Sequence, residues 1–360
     1  MNIKKLFLSA VSIVSITCLF SCAETPELVE NNNPDKYTVV KDVLWASPEG
    51  FDLTMDIYSP KTGEDSYPVV VMFHGGGWML NDKSIMDQAA KYLATNSGYV
   101  VCNVNYRLLI DNDNTVTMNQ IVEDAFGAVL WVKDNIGDYK GDETQVAITG
   151  DSAGGHLSAM IINAGHRLSS KRYSEQSIAF NPSYLPAGKT AEQVAENNGL
   201  DVQAAILSYG AYELYQSSLD GFEDIKNPLW LATASMPRGL LGDDFNPIDN
   251  PSVYKGISPL YNIPKSTERK LPPQLLTVGS EDFLMTPESV KGYFEKLESA
   301  GHPVQYWEFE GRGHAFLDSG TSMLSGQSFE TDAPQALEVM ITFLDDVFYS
   351  NDVTGTDKNM

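Results

Sequence analysis

Gly150-Asp151-Ser152-Ala153-Gly154 sets one serine between glycines, directly after an apolar, strand-like run from Gln145 to Thr149. A chain with this pattern leaves a strand, turns sharply at the serine and enters a helix. That turn strains the serine backbone and lifts its hydroxyl above the sheet, while the glycines let neighbouring backbone approach without a Cβ clash. Ala153 to Leu168 (AGGHLSAMIINAGHRL) suits the helix. A phosphate-cradling loop would need a Lys-Ser/Thr pair or a GxGxxG spacing, and Gly150 to His156 has neither.

The rest of the chain alternates strands and helices. Tyr37 to Leu44 and Leu53 to Tyr58 read as early strands, and Val69 to Phe73 is apolar throughout, the mark of a strand buried on both faces. Helix Ser84 to Thr95, strand Tyr99 to Asn105 and helix Asn119 to Ile136 lead to the serine turn. A strand at Val202 to Leu207 follows it, then strand Gln274 to Val278, helix Pro287 to Ala300, strand Val304 to Phe309 and a closing helix from Pro334 to Phe348. This order predicts an α/β fold with a mostly parallel central sheet and helices on both faces. Polar and Pro-, Gly- and Tyr-rich stretches within about 169–264 predict an inserted cap, so the domain covers 37–349 and leaves a polar tail at 350–360.

Residues 1–21 stand apart, with Lys4 and Lys5 at the start, an apolar run from Leu6 to Phe20, and a small-residue exit at Ser21-Cys22. The pattern predicts an export signal, too short for a spanning helix. Its Leu-Phe-Ser-Cys ending resembles a bacterial lipoprotein signal, which implies lipid on Cys22, a tether over 22–36 and a cell-envelope location; an ordinary secretory peptide is the competing reading. Cys18 would leave with the signal, so Cys102 remains as a small buried hydrophobe and no disulfide framework is available. The formal charge of −24 becomes more negative once Lys4 and Lys5 are lost, which disfavours nucleic acid and other polyanions as partners.

After the buried strand stands His74-Gly75-Gly76-Gly77-Trp78. Three successive glycines cost backbone entropy, and a strand end that keeps them presents bare N–H groups to a ligand, here the oxyanion of an acyl-transfer intermediate. The amide after the serine, Ala153, would join amides of the run Gly75 to Gly77 as donors. Each such donor is typically worth about 10² to 10³ in rate.

A serine also needs a base and an orienting acid. His74 belongs to the glycine motif and braces it; His156 lies one helical turn past Ser152 and packs locally; His166 ends the same helix; His302, in a Gly-His-Pro turn, reads as a surface residue. His314, in Gly311-Arg312-Gly313-His314-Ala315-Phe316 after the last strand, occupies the place the order Ser, acid, His demands. The acid should follow the preceding strand, where Gly279-Ser280-Glu281-Asp282-Phe283 stands, and Asp282 is preferred to Glu281.

Together the 74–78 and 150–155 motifs, Asn105-Tyr106-Arg107-Leu108 and the Asp282/His314 tail resemble the hormone-sensitive-lipase-like esterases of the α/β-hydrolase superfamily, over about Leu53 to Phe348. The resemblance implies an α/β-hydrolase fold and a serine esterase with nucleophile Ser152, base His314, acid Asp282 and oxyanion donors Gly76, Gly77 and Ala153. It implies no metal or organic cofactor. Three departures stand out: Leu109-Ile110-Asp111 replaces Ala-Pro-Glu, Phe283 replaces a proline after the acid, and the cap is inserted late. The pattern is nearer to carbohydrate-esterase and feruloyl-esterase-like members, implying small or oligosaccharide-linked esters as substrates. Tyr209, Tyr212, Tyr215, Phe222 and Trp230 either stack on a sugar or aryl acid or form the cap core, and Trp78 either walls the acyl pocket or packs the sheet end. A prolyl-oligopeptidase-like peptidase shares the triad order but gives no reason for the glycine run. A catalytically silent binding module is the rival from another class.

Overall fold

The computed structural model describes residues 36–174, 177–321 and 326–350. The expected signal, Cys22, most of the tether and the tail beyond Ser350 lie outside the described residues.

Eight strands form one sheet: β1 (Tyr37–Ala46), β2 (Leu53–Pro60), β3 (Tyr67–Phe73), β4 (Val100–Val104), β5 (Gly141–Asp151), β6 (Ala204–Ser208), β7 (Gln274–Gly279) and β8 (Val304–Phe309). Their spatial order is β1-β2-β4-β3-β5-β6-β7-β8. Only β1/β2 and β2/β4 pair antiparallel; the rest of the sheet is parallel. Every residue of β3, β4, β6 and β7 is buried. Since side chains alternate between faces along a strand, both faces must be covered. The covering helices are α1 (Asp87–Asn96), α2 (Met118–Asn135), α3 (Ala153–Ala164), α4 (Pro287–Ser299) and α5 (Phe329–Phe348). Helix α1 packs against α5, and α2 against α3. This is the α/β-hydrolase fold.

Two helices end where sequence pattern does not place them. Helix α3 stops at Ala164 rather than Leu168. The Arg269 guanidinium donates to the carbonyls of Ile162 and Asn163, and the chain beyond turns to pair with Phe180 through Ser169 N–H and Arg167 C=O. Helix α5 begins at Phe329, so Pro334 lies inside it rather than at its start. Asp332 holds the added turn: its carboxylate accepts the Ser328 amide at 2.8 Å, and Arg312 Nε lies 2.6 Å away.

The insertion expected over about 169–264 comes as two excursions, because β6 returns to the sheet between them. The second carries three short helices, Leu214–Leu219, Pro228–Ala232 and Pro251–Gly256. Trp230 is fully buried within it, its indole N–H donating to Phe222 C=O at 2.9 Å, so this ring is cap core and has no face free for a ligand.

Behind the site, the Arg107 and Asp124 side chains are 2% and 0% exposed and share a two-point contact, Nε at 2.8 Å and Nη2 at 2.7 Å. Asp124 also accepts the Arg107 amide at 3.0 Å and the Ser183 hydroxyl. Removing Asp124 leaves the buried guanidinium only its longer contact to the exposed Glu49, at 3.2 Å, as an ion pair. Asp124→Ala should therefore cost about 3–5 kcal/mol, read from the midpoint of guanidinium denaturation, with Asp124→Asn milder because it retains the hydrogen-bonding shape.

Candidate active site

Strands β3 and β5 run parallel with Phe73 opposite Gly150, so their carboxyl ends finish on the same edge of the sheet. From that edge leave the 74–78 loop and the Ser152 turn. Ser152 has φ 51° and ψ −112°, a conformation side-chain-bearing residues rarely hold. It is pinned on both sides: its amide donates to Ser208 C=O at 2.9 Å, and its carbonyl accepts the amides of His156 at 3.1 Å and Ala211 at 3.4 Å. Helix α3 starts so close to β3 that a Cβ on Gly154 would lie 2.0 Å from Phe73 O, which only glycine avoids.

Asp282 leaves the end of β7 and His314 the end of β8. The structure brings both to Ser152. His314 Nε2 is 3.0 Å from Ser152 Oγ, across 162 residues of chain, and His314 Nδ1 is 2.8 Å from Asp282 Oδ2. The other Asp282 oxygen accepts the amides of Leu284 and Met285, each at 2.9 Å, which keeps the carboxylate aimed at the imidazole. With Nδ1–H donating to Asp282, Nε2 is left to take the serine proton. Glu281 makes no such contact among the described residues.

Gly76 has φ 118°, and a Cβ there would come 2.1 Å from Leu80 O, whose residue's amide donates back to Gly76 C=O at 2.9 Å. Among the described residues no backbone acceptor is paired with the Gly76 or Gly77 amide. Ala153 opens α3, where first-turn amides have no intrahelical partner. Gly75 lies against the buried Asp151, where a Cβ would stand 2.4 Å from the carboxylate Oδ2.

The loop is braced from behind. The His74 ring stacks on Tyr106 with centroids 4.3 Å apart, its Nδ1 lies 2.7 Å from Gly75 O, and the Tyr106 hydroxyl donates to His74 C=O at 2.7 Å. Trp78 is buried, so it packs the sheet end rather than walling an open pocket; its indole N–H donates to His156 Nδ1 at 3.2 Å. His156 Nε2 must then carry the proton that it shares with Ile257 C=O at 2.9 Å. His156 thus joins the glycine loop to the cap.

Three other expectations are corrected. His302 is buried, with Nε2 2.7 Å from Pro264 O. Tyr212 is 5% exposed and stacks on Tyr293 at 3.9 Å, so it belongs to the core. Tyr209 is wholly buried too, but it touches the site: its ring meets His314 edge-on at 4.8 Å, and its hydroxyl accepts the Leu317 amide at 3.2 Å, holding the histidine loop. Sequence reasoning offered it as a substrate contact because a tyrosine in an irregular stretch looks the same whether it faces solvent or an imidazole.

The BD-FAE family profile matches residues 55–297. Carboxylesterase NlhH of Mycobacterium tuberculosis is 33% identical over 136 residues, 38% of this chain and 40% of that protein. Esterase LipQ of the same organism is 25% identical over 250 residues, 69% of this chain and 50% of that protein. The chain thus spans about half the length of the curated relatives it matches. Among solved structures, the apo form of Thermogutta terrifontis esterase 2 superposes with a TM-score of 0.61 at 21% identity, covering 88% of this chain and 96% of that one, a likeness of fold.

His74 and His156 are fully buried, and loss of water holds each pKa down to about 4. Unfolded histidine titrates near 6.5, so the unfolded chain takes up these protons first. Stability is complete above about pH 6.5 and falls as pH drops, on the order of 2 kcal/mol per histidine by pH 5. Urea denaturation at pH 7 and pH 5 should show this loss, and His156→Gln should lack its share.

Proposed function

The chain belongs to the BD-FAE family, and on that footing we propose that it is a carboxylic ester hydrolase working through an acyl-enzyme. One observation carries the reading: a serine in a strained strand-to-helix turn, an imidazole nitrogen 3.0 Å from its Oγ, and a carboxylate 2.8 Å from the other nitrogen. Geometry of this kind is the first test of a general base.

Ser152 Oγ attacks the ester carbonyl carbon as its proton passes to His314 Nε2. The carbonyl electron pair moves onto oxygen, where the N–H groups of Gly76, Gly77 and Ala153 meet the developing charge. Asp282 stabilises the imidazolium without taking its proton. The intermediate collapses by expelling the alcohol oxygen, which receives the proton from His314, and the acyl group remains on Ser152. Water then attacks the acyl carbon, its proton going to His314; the second intermediate expels Ser152 Oγ, which regains the proton as the acid leaves.

We further propose acetyl or feruloyl esters on plant polysaccharides as substrates, and export to the bacterial cell envelope with lipid on Cys22. The export signal spelled by residues 1–21 supports the location, and the charge of −24 favours neutral over anionic polymers.

Ser152→Ala should abolish p-nitrophenyl acetate hydrolysis and the burst of p-nitrophenol, and Asp282→Asn should lower kcat by about 10⁴ through loss of the working tautomer. Equal rates from wild type and Ser152→Ala would sink the esterase reading and favour a silent binding module. Values of kcat/KM for acetylated xylan fragments and methyl ferulate above those for long-chain esters would support the polysaccharide reading. Cys22→Ser should move the protein from the membrane fraction to the soluble one.

A further inference from the structure

The glycine loop has a neighbour with no part in the proton relay. A Cβ placed on Gly77 would stand 2.7 Å from Leu229 Cδ1, 3.6 Å from its Cδ2 and 3.8 Å from its Cγ, so the three atoms nearest the open side of this glycine all belong to one leucine. Leu229 lies in the short cap helix Pro228–Ala232 and is only half-buried. An apolar side chain set against bare amides, with part of its surface open, is a wall for whatever those amides hold.

The wall is braced. Asn227 caps the helix, its Oδ1 accepting the Leu229 amide at 3.0 Å, while its Nδ2 donates to Phe222 C=O at 2.8 Å. The Trp230 indole N–H donates to the same carbonyl at 2.9 Å, and Leu229 C=O accepts the Thr233 amide at 3.1 Å. Phe222 in turn meets Trp78, the residue after Gly77, edge-to-face with ring centroids 5.8 Å apart. The cap thus touches the glycine loop at two successive residues, and Leu229 is held at both its amide and its carbonyl.

Chemistry decides which half of an ester this wall faces. The leaving alcohol takes its proton from His314 Nε2 and lies on the histidine side, while the carbonyl oxygen sits among the amides of Gly76, Gly77 and Ala153. The acyl substituent is left the remaining direction, away from His314. Among the described residues the helix Pro228–Ala232 makes no hydrogen bond or ring contact with the His314 loop, and Leu229 stands on the glycine side. We propose that Leu229 closes the acyl pocket and sets its length, admitting acetyl and rejecting longer or bulkier acyl groups. This rests on the esterase reading and, between acetyl and feruloyl esters, it selects acetyl. Leu229 is a specificity-determining residue: it makes and breaks no bond, and it discriminates by the room it leaves.

The test varies the acyl chain with the alcohol fixed: kcat/KM for p-nitrophenyl acetate, butyrate and hexanoate, with wild type, Leu229→Ala, Leu229→Met and Leu229→Phe. Wild type should prefer acetate. One methylene in an apolar pocket is worth about 10- to 200-fold, so Leu229→Ala should raise butyrate and hexanoate relative to acetate by about tenfold or more. Leu229→Met, of similar volume, should keep the wild-type order, and Leu229→Phe should sharpen it. A second series keeps the acetyl group and changes the alcohol from ethyl to benzyl; there the ratio of rates should be the same in wild type and Leu229→Ala. A uniform change across the acyl series overturns the proposal, because it marks a leucine that only packs the cap. A wild type that favours hexanoate, or a shift confined to the alcohol series, overturns it too. Should Leu229→Ala fail to fold, Leu229→Phe decides, and an unaltered acyl order in that variant counts against the wall. Wild type that hydrolyses none of these esters sinks the esterase reading itself, a failure told apart from the others because it precedes any substitution.

Discussion

The parallel pairing of β3 with β5 is the contact on which the site depends. With Phe73 opposite Gly150, the two strands end level, and the segments that leave them emerge side by side. One becomes the glycine loop and the other the serine turn, so Ser152 and the bare amides are neighbours because of backbone register and not because of any side-chain contact. The near-collision of Gly154 with Phe73 O shows how closely α3 is set against β3. The strain in the Ser152 backbone is tolerated because Ser208 on β6, and the amides of His156 and Ala211, hold it from the other side.

Environment distributes roles among chemically identical side chains. His314 reaches a serine and a carboxylate, whereas His74 and His156 are kept neutral in dry interiors, His156 bridging Trp78 and Ile257 and His74 stacked on Tyr106. The acids divide in the same way. Asp282 has two amides on one oxygen and the imidazole on the other, so its charge is fully met. Asp151 is buried with its Oδ1 unpaired, and burial pushes its carboxyl well above the ordinary range.

Much of this was legible from residues. The serine between glycines, the three glycines after an apolar strand and a histidine on a glycine-rich loop each demand a particular local backbone, and local demands are what a sequence states directly. The strand at Val304 to Phe309 was readable to the residue for the same reason. Helix ends were less so: Arg269 ends α3, and Asp332 with Arg312 starts α5 ahead of its proline, through partners far away in sequence. The cap aromatics were illegible, since Tyr209, Tyr212 and Trp230 owe their burial to Leu317, Tyr293 and Phe222.

What the sequence determined by itself is the set of chemical parts and their order along the sheet: a strained serine, bare amides, a late acid and a later histidine, each announced by glycines and apolar runs acting over a few residues. Tertiary structure alone decided which tyrosine lies against His314 and that Gly75 backs onto the Asp151 side chain. Those outcomes depend on distances between segments far apart in the chain, and such distances are set by packing, which no local pattern encodes.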